Sequence, residues 1–400
     1  MSEANSPVRY PNAVAVGLVC MLTAASAAMH QFKMPMIMGQ VIESTGMSET
    51  AATWTMSIFL LTAVIFALPA GTVAARFGAK NVMLCFAVIA SAGSVLGALT
   101  TSTAIILISR AIEGIGFIFV GIAGVTCVVS YVEPNKIGRA IGIWATWVPI
   151  GQIAAFNLTT LLIQFMSWQV IWYIFAAFTL VMAVILKFVL QAPQGLPEAA
   201  SQEKVKFSIP IKELFGNKQL VLVSISFLMF AYLLFIILNF FPVYAGETAI
   251  MSMGEVAIVA SLPMVGSIIG SPLLGLLSEK LGRKKLYLLS LIATGIGAVL
   301  YFVNISDPRA LIYIGGALVG LIGLAAPPMV LGSMGTIVGK PELIGPGSGL
   351  VTLAQNLGMF FTTVSFMAIV TGFGGFFAAS LIAIPIAAVG VILAIKVKLD

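Results

Sequence analysis

The chain has 400 residues, 60 % of them hydrophobic and only 8 % charged, with a formal net charge of +6 and a mean hydropathy of +1.11. A soluble domain averages about 25 % charged residues, so this protein is solvated mainly by lipid, and an all-α integral membrane protein is expected. The basic residues lie in short turns between apolar runs rather than in one patch, which argues against a nucleic-acid partner.

A spanning helix needs about 20 mostly apolar residues. That ruler predicts twelve transmembrane helices, at 12–38, 50–75, 81–101, 103–131, 138–164, 168–190, 219–245, 252–277, 284–303, 309–338, 343–370 and 374–396. The first run is longer than the ~7–15 residue apolar stretch of a signal peptide, so it reads as a retained helix despite the cleavage-like Ala25-Ser26-Ala27. Cys20, Cys85 and Cys127 fall inside apolar runs, without disulfide or metal spacing, and read as small core residues. Gly93 and Gly97 in the third helix, and Gly114, Gly121 and Gly124 in the fourth, allow backbones to approach where hydrophobicity cannot drive association. The long polar stretch 191–218 is the expected cytoplasmic linker between halves 1–190 and 219–400. It contains Pro193, Gly195, Pro197, Glu198, Glu203, Lys204, Lys206, Lys212, Glu213 and Lys218, and 207–220 is a candidate interfacial helix weakened by Pro210. Pro263 and Pro272 are expected to bend the eighth span, and Pro327-Pro328 to break the tenth.

With the N-terminus inside, the cytoplasmic segments hold nearly all of the 20 lysines and arginines, from Arg9 to Lys398. The outer loops hold Arg309 but also Glu43, Glu49, Glu247, Glu255 and Asp307. The bias of basic residues sets orientation, so both termini are expected in the cytoplasm, with a bacterial inner membrane as the compartment.

A decapeptide occurs twice: GTVAARFGAK at Gly71–Lys80 and GLLSEKLGRK at Gly275–Lys284. Each copy lies between apolar runs, and aligning them divides the chain nearly in half, the mark of an internal duplication. On these turns, and on Arg110, Gly114 and Gly116 in the fourth helix, the chain resembles the major facilitator superfamily. The second copy is complete in Gly275, Glu279, Lys280, Gly282, Arg283 and Lys284, whereas the first keeps Gly71, Arg76, Gly78 and Lys80 but has Ala75 in place of the acid. The resemblance implies a twelve-helix fold of two six-helix halves, alternating access, and a conformational gate built on these turns. It also implies that helices one and four line a central cavity.

The ionisable groups inside predicted spans, away from the cytoplasmic ends, are His30 and Lys33 in helix one and Arg110 and Glu113 in helix four. Each pair is three apart and shares a helix face. At ~1.5 Å per residue, Lys33 lies roughly 30 Å along the helix from Asn12 and Arg110 roughly 9 Å from Ala104, which puts both pairs at one outer-central level. A charge at the bilayer centre costs at least about 2.5–3.5 kcal/mol, so such residues face a cavity or a partner. Lys33 could instead snorkel to headgroups, Arg110 and Glu113 could form a structural ion pair, and His30 could be a hydrogen-bonded packing residue. In the functional reading Lys33 and Arg110 bind an anion, with His30 beside them, and Glu113 or His30 carries a proton. The second half offers neutral groups: Tyr232, Asn239, Tyr244, Tyr313, Gln355 and Asn356, with Phe235, Phe240, Trp144 and Trp147 as apolar walls.

The expected function is secondary transport of a small organic anion, a carboxylate taken up with protons. Proton-driven efflux of drugs or metabolites is the alternative, disfavoured because GIWATWVPIGQ in helix five has Pro149 and Gly151 but no Gly-Pro pair. A scaffold would need a soluble domain. One histidine, no Ser/His/Asp set and a Gly345–Gly349 loop without a Gly-Lys-Ser/Thr ending argue against an enzyme. No cofactor or metal is expected, and a monomer in the lipid bilayer is the default.

Overall fold

The computed structural model describes residues 10–191, 211–340 and 343–400, apart from the side chains of Leu68, Ile211 and Glu279. The linker prolines and charges from Pro193 to Pro210, Arg9 and the Glu279 carboxylate lie outside the described residues. The described residues form helices and turns. The six spans of the first half are α1 (Ala13–Thr45), α2 (Glu49–Phe77), α3 (Ala79–Ala98), α4 (Thr103–Tyr131), α5 (Ile137–Trp144 and Trp147–Leu162) and α6 (Trp168–Val189). A short helix, Ile211–Gly216, precedes the second half. There α7 runs Lys218–Phe235, Ile236–Phe240 and Phe241–Thr248; α8 is Met253–Leu281 and α9 is Arg283–Leu300. The last three are α10 (from Arg309–Leu321 to Met334–Val338), α11 (Ile344–Phe373) and α12 (Phe376–Ser380 and Ala383–Ile395). Eleven of these are apolar and long enough to cross a membrane; α9 begins with Arg283, Lys284 and Lys285, so its apolar stretch is shorter.

The breaks follow proline, one turn upstream of it. Pro149 has no N–H for the carbonyl of Ala145, and α5 is interrupted at Ala145-Thr146. Pro242 likewise leaves Leu238 without its donor, and residues Ile236–Phe240 adopt a buried π turn. In α10 the Pro327-Pro328 pair is preceded by a 3₁₀ turn at Gly323–Ala325, as expected of a broken span. Helix α8 runs unbroken through Pro263 and Pro272, capped by Ser252, whose hydroxyl accepts from the Glu255 N–H at 3.3 Å.

The helices gather into two compact units. One comprises the described residues of Met1–Gln31, Ile65–Gln152 and Ser167–Ser208; the other comprises those of Phe32–Val64, Ile153–Met166 and Ile209–Asp400. In the first, α3 is held against α6 by Ser91, which donates to the Ala176 carbonyl at 3.1 Å, and Ser94, which donates to that of Trp172 at 3.0 Å. Against α4 the fit depends on glycine: a Cβ at Gly116 would sit 2.5 Å from Ala90 Cβ and 2.9 Å from its Cα. In the second unit Ser226 donates to the Gly390 carbonyl and meets the Tyr287 hydroxyl, each at 2.8 Å, joining α7, α9 and α12.

The repeated decapeptide makes the same turn twice. Gly78 and Gly282 have φ of 84° and 86°, which L side chains avoid. The closing lysine of each copy caps the last span of its own half. Lys80 donates to the carbonyls of Lys187, at 2.9 Å, and Leu190, and Lys284 to that of Ile395 at 2.6 Å. A cation there complements the helix dipole and satisfies carbonyls without intrahelical partners. The first glycine of each copy is not at a close approach: a Cβ at Gly71 or at Gly275 would meet no described atom within 4 Å.

Beyond α12, Lys396–Asp400 lies across the α8–α9 turn with Val397 and Leu399 buried. Gln219 brackets it, donating to the Lys396 carbonyl at 3.2 Å and accepting from the Lys398 N–H at 2.7 Å. Ser333 donates to the Leu399 carbonyl, and Asp400 accepts from the Arg283 N–H, at 2.6 and 2.5 Å. The first turn of α9 has no side-chain cap of its own, so Asp400 serves as one in trans.

Gly116→Ala should destabilise the protein by about 1–3 kcal/mol through overpacking against Ala90, whereas Gly71→Ala should be tolerated. Thermal unfolding in detergent measures both, and equal melting temperatures would refute the close contact between α3 and α4.

Candidate functional site

His30, Lys33, Arg110 and Glu113 are each 0 % exposed. Helix α4 brings Arg110 and Glu113 to one face, and α3 lets α4 in: a Cβ at Gly93 would lie 3.0 Å from Glu113 N and from the Ser109 carbonyl. The Arg110 guanidinium donates through Nη1 to Glu113 Oε2 and, at 2.6 Å, to the backbone carbonyl of His30. Its carbon stands 6.0 Å from the centre of the Trp172 ring, within cation–π range. Imidazole Nδ1 of His30 is 3.3 Å from Glu113 Oε1, and Nε2 is 3.1 Å from Thr179 Oγ1. Thr179, His30, Glu113 and Arg110 therefore form one hydrogen-bonded chain across α6, α1 and α4, entirely within the first unit. The expected shared level of His30, Arg110 and Glu113 is observed.

A carboxylate beside a guanidinium accepts hydrogen bonds and donates none, so Glu113 holds both its neighbours. The arrangement can exchange a proton at the imidazole while the Arg110 charge stays compensated. Lys33 stands one turn beyond His30 on the same face of α1.

Sequence reading missed Thr179 and Trp172. Thr179 is the sole Ser or Thr of α6, yet nothing local marks it, because its partner comes from α1.

The neutral candidates of the second half are placed differently. The Tyr232 hydroxyl is 2.7 Å from Ser365 Oγ, and Asn356 is buried on α11 beside half-buried Gln355. Asn239, 3 % exposed, sits in the π turn, and its side chain makes no hydrogen bond with a described residue. Tyr313 is 39 % exposed on α10, so it is removed from the interior group. Trp144 and Trp147 pack on glycines of α4: a Cβ at Gly121 would lie 3.0 Å from the Trp147 ring, and one at Gly124 would lie 2.7 Å from Trp144 Nε1. Phe235 and Phe240 lie among rings, 6.5 Å from Phe32 and 5.0 Å from Phe366.

Among the gate candidates, Arg76 is exposed over the Phe77 ring, Lys280 is exposed, and Arg283 donates to the Gly332 carbonyl at 2.8 Å.

The sequence profile of the Major Facilitator Superfamily matches residues 16–252 and 247–399. The chain belongs to the major facilitator superfamily. Its twelve helices and signature turns are those of this transporter family, and it is an integral membrane protein. The hexuronate transporter of Bacillus subtilis (strain 168) is 24 % identical over 243 residues, which is 60 % of this chain and 58 % of that protein. The probable anion transporter 7 of Oryza sativa subsp. japonica is 22 % identical over 317 residues, 74 % of this chain and 68 % of that protein. The crystal structure of a mutant of the nucleoside transporter NupG superposes with a TM-score of 0.75 at 16 % identity, covering 96 % of this chain and 98 % of the other. That likeness bears on fold alone.

Removing one member of a buried ion pair strands the other, at a cost of about 3–5 kcal/mol. Glu113→Ala should lose that much stability in chemical unfolding, and Arg110→Met with Glu113→Leu should recover most of it. A stable Glu113→Ala single variant would refute the buried pair.

Proposed function

We infer that this superfamily member moves a small organic anion, of the carboxylate class, by proton-coupled alternating access between its two six-helix halves. The observation that carries the reading is that ionisable side chains within the spans, Lys33 on α1 and Arg110 and Glu113 on α4, are each fully buried. Charge in hydrocarbon is costly, so basic groups at such depth are suited to meet an anionic solute. Lys33 and Arg110 are the candidate anion ligands, and His30 or Glu113 carries the coupling proton. Asn239, Tyr232, Gln355 and Asn356 are the neutral hydrogen-bonding candidates, and the direction in this reading is uptake into a bacterial cytoplasm. The names of the hexuronate and anion transporters lend support, since both cargoes carry negative charge.

Purified protein in liposomes should acidify the lumen when hexuronates or dicarboxylates are added outside, beyond the leak of protein-free vesicles. Lys33→Gln should cut that flux at least tenfold, a change of about 1.4 kcal/mol. Undiminished anion flux in Lys33→Gln would sink the reading. Alkalinisation driven by cationic drugs would replace it with antiport.

A further inference from the structure

The Glu113 and Thr179 contacts on either side of the His30 imidazole point to which nitrogen carries the proton. Glu113 is the ionised partner of Arg110 and is acceptor-only, so Nδ1, 3.3 Å from Oε1, bears the hydrogen. Nε2 is then a lone pair, and Thr179 Oγ1, 3.1 Å away, donates to it. Glu113 of α4 stands at Nδ1 and the neutral Thr179 of α6 at Nε2; Arg110 of α4 donates to the His30 backbone carbonyl and lies over the Trp172 ring, and Lys33 follows one turn along α1.

We propose that Thr179 is a positioning residue that lets His30 take up the coupling proton, an assignment that rests on the proton-coupled reading above. A proton arriving at Nε2 turns that atom from acceptor into donor. Carboxylates and amides are one-way partners, but a hydroxyl serves both states. In the neutral state its O–H points at Nε2. In the charged state the oxygen accepts Nε2–H while the hydroxyl hydrogen turns to the carbonyl one turn earlier in α6, as helical threonines do. No bond other than N–H forms, and the imidazolium is held between the Glu113 carboxylate and the Thr179 oxygen. Valine would remove the Thr179 oxygen from beside the charged ring in a fully buried site, where losing an acceptor for a charged donor is costly.

His30 is the chain's single histidine, so protein labelled with ¹⁵N-histidine and purified without a polyhistidine tag gives one imidazole spectrum. The nitrogen shifts distinguish both tautomers and the doubly protonated ring directly, with no transport assay involved. The wild type should show the hydrogen on Nδ1 at neutral pH and protonate at Nε2 within about pH 5–8, the range histidine ordinarily serves. Thr179→Ser should reproduce this, and Thr179→Val should keep the singly protonated ring across the same range. A wild-type ring with its hydrogen on Nε2, one that stays neutral throughout, or a valine variant that protonates with the wild-type profile would each overturn the assignment. Solute-driven acidification of liposomes is measured on the same samples. If His30 protonates as described but solute moves without protons, proton coupling fails while the Thr179 assignment stands. Thr179→Val should lower acidification at least tenfold, with rescue by serine.

Discussion

The bilayer supplies no water to an unpaired charge or a bare carbonyl, so each such group in the spans needs a partner within the protein. Arg110 shows what that requirement imposes. Its guanidinium reaches a carboxylate on its own helix and a backbone carbonyl on α1, and it lies over a ring on α6. Those partners come from three helices, so the one cation fixes their mutual depth and rotation. Gly93 and Gly97 of α3 complete the arrangement by being small: with side chains there, α4 and the Trp172 ring could not come as near. The polar chain and the glycine contacts are therefore one device, in which apolar close packing sets the positions that the hydrogen bonds then require.

The same requirement explains the repeated turn. A span that ends at the membrane surface leaves carbonyls without intrahelical donors, and in each half the closing lysine of the decapeptide supplies them to the sixth helix. Basic residues in these turns thus join the third span of each half to its last. In the second half Lys396–Asp400 extends the joint, linking the first turns of α7 and α9 to the broken end of α10 through Gln219, Arg283 and Ser333.

Most of this fold is legible in the sequence because hydropathy is a summed signal: a run of about twenty apolar residues survives a few errors of assignment. Local departures from helix are less legible. The breaks at Ala145-Thr146 and Ile236–Phe240 both lie upstream of their cause, since a proline removes a bond from the carbonyl four residues earlier. Helix α1 also continues past the expected residue 38 to Thr45, carrying Pro35 within it. At the site, His30, Arg110 and Glu113 were legible because a charge in an apolar run is rare and i,i+3 spacing sets its face. Thr179 was not, because a threonine in such a run costs little and its partner is 149 residues away. Motif glycines divide in the same way: Gly78 is explained by its own dihedral angle, whereas Gly71 has no neighbour that would need it small.

The second half provides an internal control for whether the fold needs these charges. The crossing of α3 and α4, where a Cβ at Gly93 would meet the Ser109 carbonyl and Glu113, recurs between α9 and α10, where one at Gly297 would meet the Gly315 carbonyl, at 3.3 Å, and the Val319 side chain. In that register Val319 stands for Glu113 and Gly316 for Arg110. The room beside Gly316 is taken by the Tyr301 ring, whose hydroxyl donates to the Val259 carbonyl at 3.0 Å. One helix crossing has thus been built twice, once around an ion pair and once around valine and tyrosine. Well-packed apolar residues generally match or exceed a buried ion pair in stability. Stability alone therefore gives the first half no reason to keep Arg110, Glu113 and the buried Lys33, which accords with the roles proposed for them toward an anion and a proton.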